Sequence, residues 1–318
     1  MDNRTNKEKT QRHFKILALD GGGVKGIFSI QLLSLIEKEL GIRVYDTFDI
    51  IVGTSTGSIA AGAISIKYPL EKLVGNYTTW AKEVFKKKRI GSWIHWCSKY
   101  DSKPLEDHLH QTFENIKLGD IEKPLIINAT DASHGGVYVF KSSYQKKQRG
   151  EENYSRDGNT PLFKAVLASC AAPTYFDPID INGVLVCDGG LWANNPALVG
   201  YVDAKVNFQA TSIKIFSLGT GIKKQSYKWP RFGAWGFCTG WRRTEFVDFV
   251  MSCQTMFPQN SLQLIDSEGI LRINPEIKKC RLDNYKAIPT LTATAKTEFA
   301  DKRTQIKNFL TDEVDYAT

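Results

Sequence analysis

The sequence predicts an α/β fold built on a mostly parallel sheet, and three observations carry that expectation. Two units of apolar strand, glycine-rich turn and helix follow one another within residues 14–66. Such units in succession give parallel strands joined by right-handed helical crossovers. Short apolar runs ending in glycine clusters then recur as far as residue 221. Length and composition agree: 318 residues, 42% hydrophobic and 24% charged, bury a core without staples and exclude a disordered, collagen-like or coiled-coil chain.

Phe14–Leu19 (FKILAL) ends at Asp20 and a glycine cluster, which reads as a buried strand and a tight turn. Between Val24 and Leu40, apolar residues at Ile27, Ile30, Leu33, Ile36 and Leu40 keep helical spacing, with Gly41 as C-cap. Phe48–Val52 predicts the second strand and Ile59–Ile66 a small-residue helix. Further helices are expected over Leu70–Lys87, Pro104–Phe113, Pro161–Ser169 and Asn195–Val206. Strands are expected over Leu125–Thr130, Val137–Phe140, Val184–Cys187 and Ile213–Leu218. The remainder predicts a helix over Glu245–Met256, short strands or loop over 261–273, and a C-terminal helix over Thr290–Leu310. Phe299, Ile306, Phe309 and Leu310 are its inward positions. Residues 1–12 read as a flexible tail and 13–318 as one domain, with motifs in 14–221 and a cap or regulatory part from about 222 to 318.

No apolar run approaches the ~18 residues of a membrane-spanning helix. The polar start, MDNRTNKEKTQRH, lacks the apolar core of a secretory signal, so a cytosolic protein is expected. Cys97, Cys170, Cys187, Cys238, Cys253 and Cys280 are scattered, and they read as reduced, mostly buried thiols. No ligand spacing predicts a metal. A net charge of +8 favours anionic partners: phospholipid head groups, nucleotides or nucleic acid. Lys82–Arg89 holds part of that charge and reads as a solvated helix face. Phe85–Tyr100, with Trp93 and Trp96, and Trp229–Arg243, with Trp235 and Trp241, mix aromatic and basic residues. Such segments suit a membrane interface or lid, or else packing and activator contacts.

The chemical signals lie at predicted strand ends. Gly21-Gly22-Gly23-Val24-Lys25-Gly26 opens a helix, where free N–H groups make an anion site. It matches G-x-G-x-x-G, but the second strand runs into Gly-Thr-Ser and not into the acid that holds a ribose. Nicotinamide and flavin binding are therefore disfavoured, and no Walker lysine is present. Gly53-Thr54-Ser55-Thr56-Gly57 is a G-x-S-x-G between strand and helix, the setting of an outward-pointing serine nucleophile. Read blandly, it is a turn with Ser55 as a cap. His13, His95, His108, His110 and His134 all come too early for a Ser-acid-His order, so the base must be another group. Asp188, in Asp188-Gly189-Gly190 at a strand end, is the candidate. A dry pocket would raise its pKa and strengthen it as a base.

Together these motifs resemble the patatin-like phospholipases. Five occur in family order across residues 14–221: DGGGVKG (Asp20–Gly26), GTSTG (Gly53–Gly57), ASCAAPTYF (Ala168–Phe176), DGGLWANNP (Asp188–Pro196) and SLGTG (Ser217–Gly221). The resemblance implies a three-layer α/β fold with a mostly parallel central sheet and a C-terminal helical elaboration. It implies a Ser55–Asp188 dyad without histidine. It implies an oxyanion hole from the backbone at Gly21, Gly22, Gly23 and Val24, with Lys25 at the basic position, and motif glycines at Gly26, Gly53, Gly57, Gly189 and Gly190. No metal or cofactor is implied.

Within the family, FDIIVGTSTGSIAAG, SKPLEDHL (Ser102–Leu109), AAPTYF and WANNP are similar to the cyclic-oligonucleotide-activated phospholipases of CBASS antiviral defence. That likeness implies a cytoplasmic enzyme, silent at rest and switched on by a cyclic dinucleotide such as cGAMP. It would then degrade membrane phospholipids at the inner face of the cell membrane, and no nucleic-acid polymer is implied. Activation by joining subunits into a homo-oligomer or by moving 229–243 off the site stays open, as does the activator pocket. A constitutive lipid acyl hydrolase and a nucleotide-binding module with a vestigial site are the alternatives.

Overall fold

A computed structural model describes residues 13–86, 97–142, 156–222, 244–277 and 280–312. One sheet contains β1 (Phe14–Leu19), β2 (Ile50–Thr54), β3 (Leu125–Asp131), β4 (Gly136–Lys141), β5 (Ile179–Ile181), β6 (Val184–Asp188), β7 (Ile213–Leu218) and β8 (Ile270–Ile273). Its order is β5-β6-β3-β2-β1-β7-β8, with β4 also on β3. The centre is parallel: β1 pairs with β2 and β7, β2 with β3, and β7 with β8. Antiparallel pairing is confined to the β3–β4, β3–β6 and β5–β6 end. β2 (IIVGT) is buried along its whole length, as expected of a strand covered on both faces.

Alternation along the strands divides the core. Leu17, Leu19, Ile51 and Ile127 face one hydrophobic cluster, and Ile16, Ala18, Ile50 and Val52 face the other. On the first side lie α1 (Ile27–Leu40), α2 (Val44–Thr47), α3 (Thr56–Ser65), α4 (Leu70–Val84), α5 (Lys103–Phe113), α6 (Leu162–Ser169) and the long α10 (Ile288–Thr311), which packs on α1. α7 (Gly190–Ala193) follows β6, and α8 (Ala197–Asn207) covers the second side. α9 (Thr244–Ile265) runs beside α7 and α8 and adds Leu262 to the second cluster. These are the three layers that the resemblance implied.

Most predicted elements appear within a residue or two. α1 ends at Gly41, left-handed at φ 68°, as its C-cap role requires. β2 begins two residues later than predicted, because Val44–Thr47 forms a helical turn and Asp49 binds the backbone of Lys15 ahead of the ladder. α9 continues beyond Met256 through Pro258. Proline has no N–H to give the Gln254 carbonyl, which instead accepts from Asn195 N–H at 3.5 Å. The three-residue β5 lacked a readable pattern. On α10, Phe299, Ile306 and Leu310 are buried and Phe309 is half-buried.

The cysteine expectation needs correction. Cys170 and Cys187 are buried, but Cys280 is half-buried and Cys97 and Cys253 are exposed. Tyr100, read as a possible interface residue, is 2% exposed and packs edge-on against Phe85. Lys82 and Lys86 are exposed, as a solvated face requires. Residues 1–12, Lys87–Arg89, Trp93, His95, Trp96, Cys238 and the 229–243 segment lie outside the described residues. Among the described residues no helix is long and apolar enough to cross a membrane.

Candidate active site

Ser55 sits where β2 turns sharply into α3, with φ 53° and ψ −128°. A non-glycine residue at positive φ is strained, and the strain lifts the hydroxyl out of the turn. The turn closes only because its neighbour is small: a Cβ on Gly57 would lie 2.2 Å from the Leu19 carbonyl. Hydrogen bonds hold the conformation. Ser55 N–H donates to Ser169 Oγ at 2.8 Å, and Ser169 Oγ donates onward to the Asn128 carbonyl at 2.6 Å. Ser58 Oγ donates to the Ser55 carbonyl at 2.5 Å.

The β6 terminus brings Asp188 to the serine. Ser55 Oγ donates to Asp188 Oδ2 at 2.6 Å, and Gly190 N–H donates to Oδ1 at 2.7 Å. Asp188 is fully buried. Burial raises its pKa from 3.8 to about 6, against the lowering effect of the Ser55 and Gly190 hydrogen bonds. The carboxyl thus ionises near neutral pH and stays hydrogen-bonded to the hydroxyl it would deprotonate. Burial also pushes the Cys170 thiol and the Tyr77 phenol upward. Both line the same apolar cavity, which Ser55, Asp188, Trp80, Val84, Phe85 and Phe176 also line.

The glycine loop crosses in front of Ser55. Gly21 N–H donates to the Asn194 carbonyl at 3.0 Å, Val24 N–H to the Leu282 carbonyl at 2.8 Å, and Lys25 N–H to the Gly22 carbonyl at 3.2 Å. Two of the four backbone amides expected at an oxyanion hole, those of Gly21 and Val24, are therefore engaged, as is that of Lys25. Those of Gly22 and Gly23 have no partner among the described residues. Gly23 (φ 58°) borders the cavity, and a Cβ there would lie 2.3 Å from the Leu282 carbonyl. Tyr77 Oη fixes the loop by donating to the Gly23 carbonyl at 2.6 Å. Behind it, Arg272 binds both carboxylate oxygens of Asp20 and Ser217 Oγ, and reaches Gln259 of α9.

No described histidine borders the cavity. His13 contacts Ser212, His108 contacts Glu83 and His134 contacts Asp131. Among the described residues there is no group of three His, Cys, Asp or Glu side chains arranged to hold a metal. Sequence reasoning missed Ser169, Tyr77 and Leu282. Ser169 falls inside the ASCAAPTYF motif, whereas nothing local marks the other two.

The family model for patatin-like phospholipase matches residues 17–201, more than half of the chain. The chain belongs to the patatin-like phospholipase family. The matched region holds the glycine loop, Ser55 and Asp188. The chain is 36% identical over 243 residues to the mouse protein named 85/88 kDa calcium-independent phospholipase A2, covering 69% of this chain and 28% of that one. The chain thus spans about a quarter of the length of the mouse and rat relatives. A Vibrio cholerae protein named cGAMP-activated phospholipase is 30% identical over 69% of this chain and 68% of its own. An Escherichia coli protein named cUMP-AMP-activated phospholipase is 26% identical over 93% of each chain.

Proposed function

We propose that this chain is a serine acyl hydrolase that cleaves ester-linked fatty acids from membrane phospholipids. The observation that carries the reading is the 2.6 Å hydrogen bond between a strained Ser55 and a buried Asp188, both lining an apolar cavity. As Ser55 Oγ attacks the ester carbonyl carbon, its proton passes to Asp188. The carbonyl electron pair moves onto oxygen, which the Gly22 and Gly23 amides receive. The C–O bond to the lysolipid then breaks, and the departing oxygen takes the proton back from Asp188. Water repeats the sequence on the acyl-serine: Asp188 accepts its proton, the acyl–Oγ bond breaks, and Ser55 recovers a proton as fatty acid leaves. The apolar walls hold the acyl chain and keep bulk water from the carboxyl.

A cyclic dinucleotide switches the enzyme on in this reading. The likeness to the cUMP-AMP-activated relative, extending over 93% of both chains, supports it, and so does the +8 charge. The chain then works in the cytoplasm on the inner face of the membrane, in antiviral defence, with 13–318 as one domain and the part beyond about 222 as its cap. Moving a two-state equilibrium from 1:99 to 99:1 needs about 10⁴-fold preference of the activator for the active state. The test is hydrolysis of a fluorogenic phospholipid in vesicles, alone and with cGAMP, cUMP-AMP, cyclic di-GMP or cyclic di-AMP. Near silence that one nucleotide relieves is expected. Equal high activity without any nucleotide removes the switch and leaves a constitutive hydrolase. Nucleotide binding with no hydrolysis leaves a vestigial site.

A further inference from the structure

The glycine loop is held by a residue from outside the motifs. Val24 N–H donates to the Leu282 carbonyl at 2.8 Å, and a Cβ on Gly23 would lie 2.3 Å from the same oxygen, so the loop rests directly against Leu282. Gly22 and Gly23, whose amides are the ones left to receive an oxyanion, therefore take their position in part from this residue. Leu282 lies in no helix or strand. It and Asp283 are the inner residues of a turn that Asn284 N–H closes on the Arg281 carbonyl at 3.1 Å. The Asp283 carboxylate, 9% exposed, ties this turn to the rest of the protein. Its Oδ2 accepts from Lys99 Nζ and, at 2.9 Å, from Tyr100 Oη, and Arg281 Nε lies 3.5 Å from Oδ1. Against the cost of burial, the Lys99 and Tyr100 hydrogen bonds hold the Asp283 carboxyl below its ordinary pKa of 3.8.

The other end of the tie is anchored in the cavity wall. Lys99 and Tyr100 donate their N–H groups to the Thr174 and Tyr175 carbonyls at 3.0 and 2.9 Å. The Tyr100 ring packs against Phe85 and Phe176, with centroids 5.2 and 6.1 Å away. Phe85, Tyr175 and Phe176 all line the cavity of Ser55 and Asp188, as does Leu282 itself. Stretches far apart in sequence thus meet at one carboxylate, and the residue before it carries the acceptor on which the glycine loop rests. We infer that Asp283 is a positioning residue for ester hydrolysis, fixing the Leu282 carbonyl and through it the Gly22 and Gly23 amides that receive the oxyanion. Such donors work by standing in place before charge develops, and misplacement by about 1 Å costs up to about 10²-fold in rate. This inference rests on the proposed hydrolysis; Asp283 itself lies outside residues 17–201, which the family model matches.

The test measures hydrolysis of a soluble short-chain ester by the full chain, with the activating nucleotide where wild type needs one. Asp283→Ala should lower kcat about 10- to 100-fold and leave KM within about twofold, because oxyanion donors act in the transition state and not on the bound ester. Asp283→Glu, which keeps an acceptor for Lys99 and Tyr100, should recover most of the rate. Tyr100→Phe and Lys99→Met each remove one donor and should show smaller losses of the same kind, and they decide the matter if the alanine variant does not fold. Asp283 stays ionised across the range in which Asp188 titrates, so the apparent pKa near 6 should not move, whereas a loss caused by water entering the cavity would lower it toward 3.8. Amide exchange, read by mass spectrometry on the peptide holding Val24, should quicken in Asp283→Ala with or without turnover. Asp203 of α8 supplies the control. It is buried, pairs with Lys141, accepts from Asn207 Nδ2 at 2.7 Å and is not among the residues lining the cavity. Asp203→Ala should leave kcat unchanged at a comparable loss of stability. Unchanged kcat across the Asp283, Tyr100 and Lys99 variants, an equal loss in Asp203→Ala, a rise in KM alone, a lowered apparent pKa, or unchanged exchange at Val24 each overturns the inference. Wild type without turnover would instead fail the hydrolase reading, and the exchange measurement would still decide whether Asp283 holds the loop.

Discussion

Replacing Asp188 with asparagine separates the two consequences of burying a carboxylate beside a serine. The folded pKa of about 6 lies above the ordinary 3.8, so between those values the native state keeps a proton that the unfolded chain has released. Stability therefore falls as pH rises through that window, and the loss is complete above the folded pKa. At about 1.36 kcal/mol per pKa unit, the rise from 3.8 to about 6 corresponds to about 3 kcal/mol. Asparagine keeps the shape and carries no charge. Asp188→Asn should thus gain stability relative to wild type as pH rises from 4 to 7, by up to ~3 kcal/mol or about 5 °C in melting temperature. Calorimetry of both proteins across that range measures the difference. The same change should lower lipid hydrolysis by about 10³ or more, because the uncharged amide accepts no proton. Wild-type activity should fall on the acid side with an apparent pKa near 6. A stability difference that does not vary with pH, or an asparagine variant that keeps most of its activity, would refute the assignment of Asp188 as a desolvated base.

Ser55→Ala should abolish phospholipid hydrolysis, and adding Asp188→Asn should make it no worse, since residues acting as one unit are not additive in kinetic assays. Ser169→Ala should cost about 1–3 kcal/mol in denaturant unfolding and slow turnover, because it leaves the buried Ser55 N–H and Asn128 carbonyl without their partner. Gly57→Ala should destabilise by about 2 kcal/mol or more on the same measurement, since its Cβ would meet the Leu19 carbonyl at 2.2 Å.

The strand-turn-helix frame was legible because each unit announces itself locally. FKILAL and IIVGT are apolar runs closed by glycine, and Gly41 caps the first helix. The meeting of Ser55 and Asp188 was legible for a related reason, as each occupies a motif at a strand end and the sheet brings strand ends together. What lay hidden depends on distant contacts. The helix predicted to end at Met256 runs on through Pro258, where Asn195 supplies the donor that the Gln254 carbonyl lacks. Tyr77 and Leu282 meet the glycine loop from α4 and from the segment before α10, and no local pattern tells which residue will arrive there. The hydrogen bonding of the glycine loop lay hidden for the same reason. Which amides stay free follows from carbonyls on Asn194 and Leu282, far along the chain.

The most direct test is covalent. The active protein is treated with a long-chain alkyl fluorophosphonate, and the adduct is mapped by peptide mass spectrometry while phospholipid hydrolysis is followed in parallel. A reactive serine in an apolar cavity predicts one adduct, on Ser55, with activity lost in proportion to labelling and neither effect in Asp188→Asn. An adduct on another residue, or full phospholipid hydrolysis by protein completely labelled at Ser55, would contradict the account.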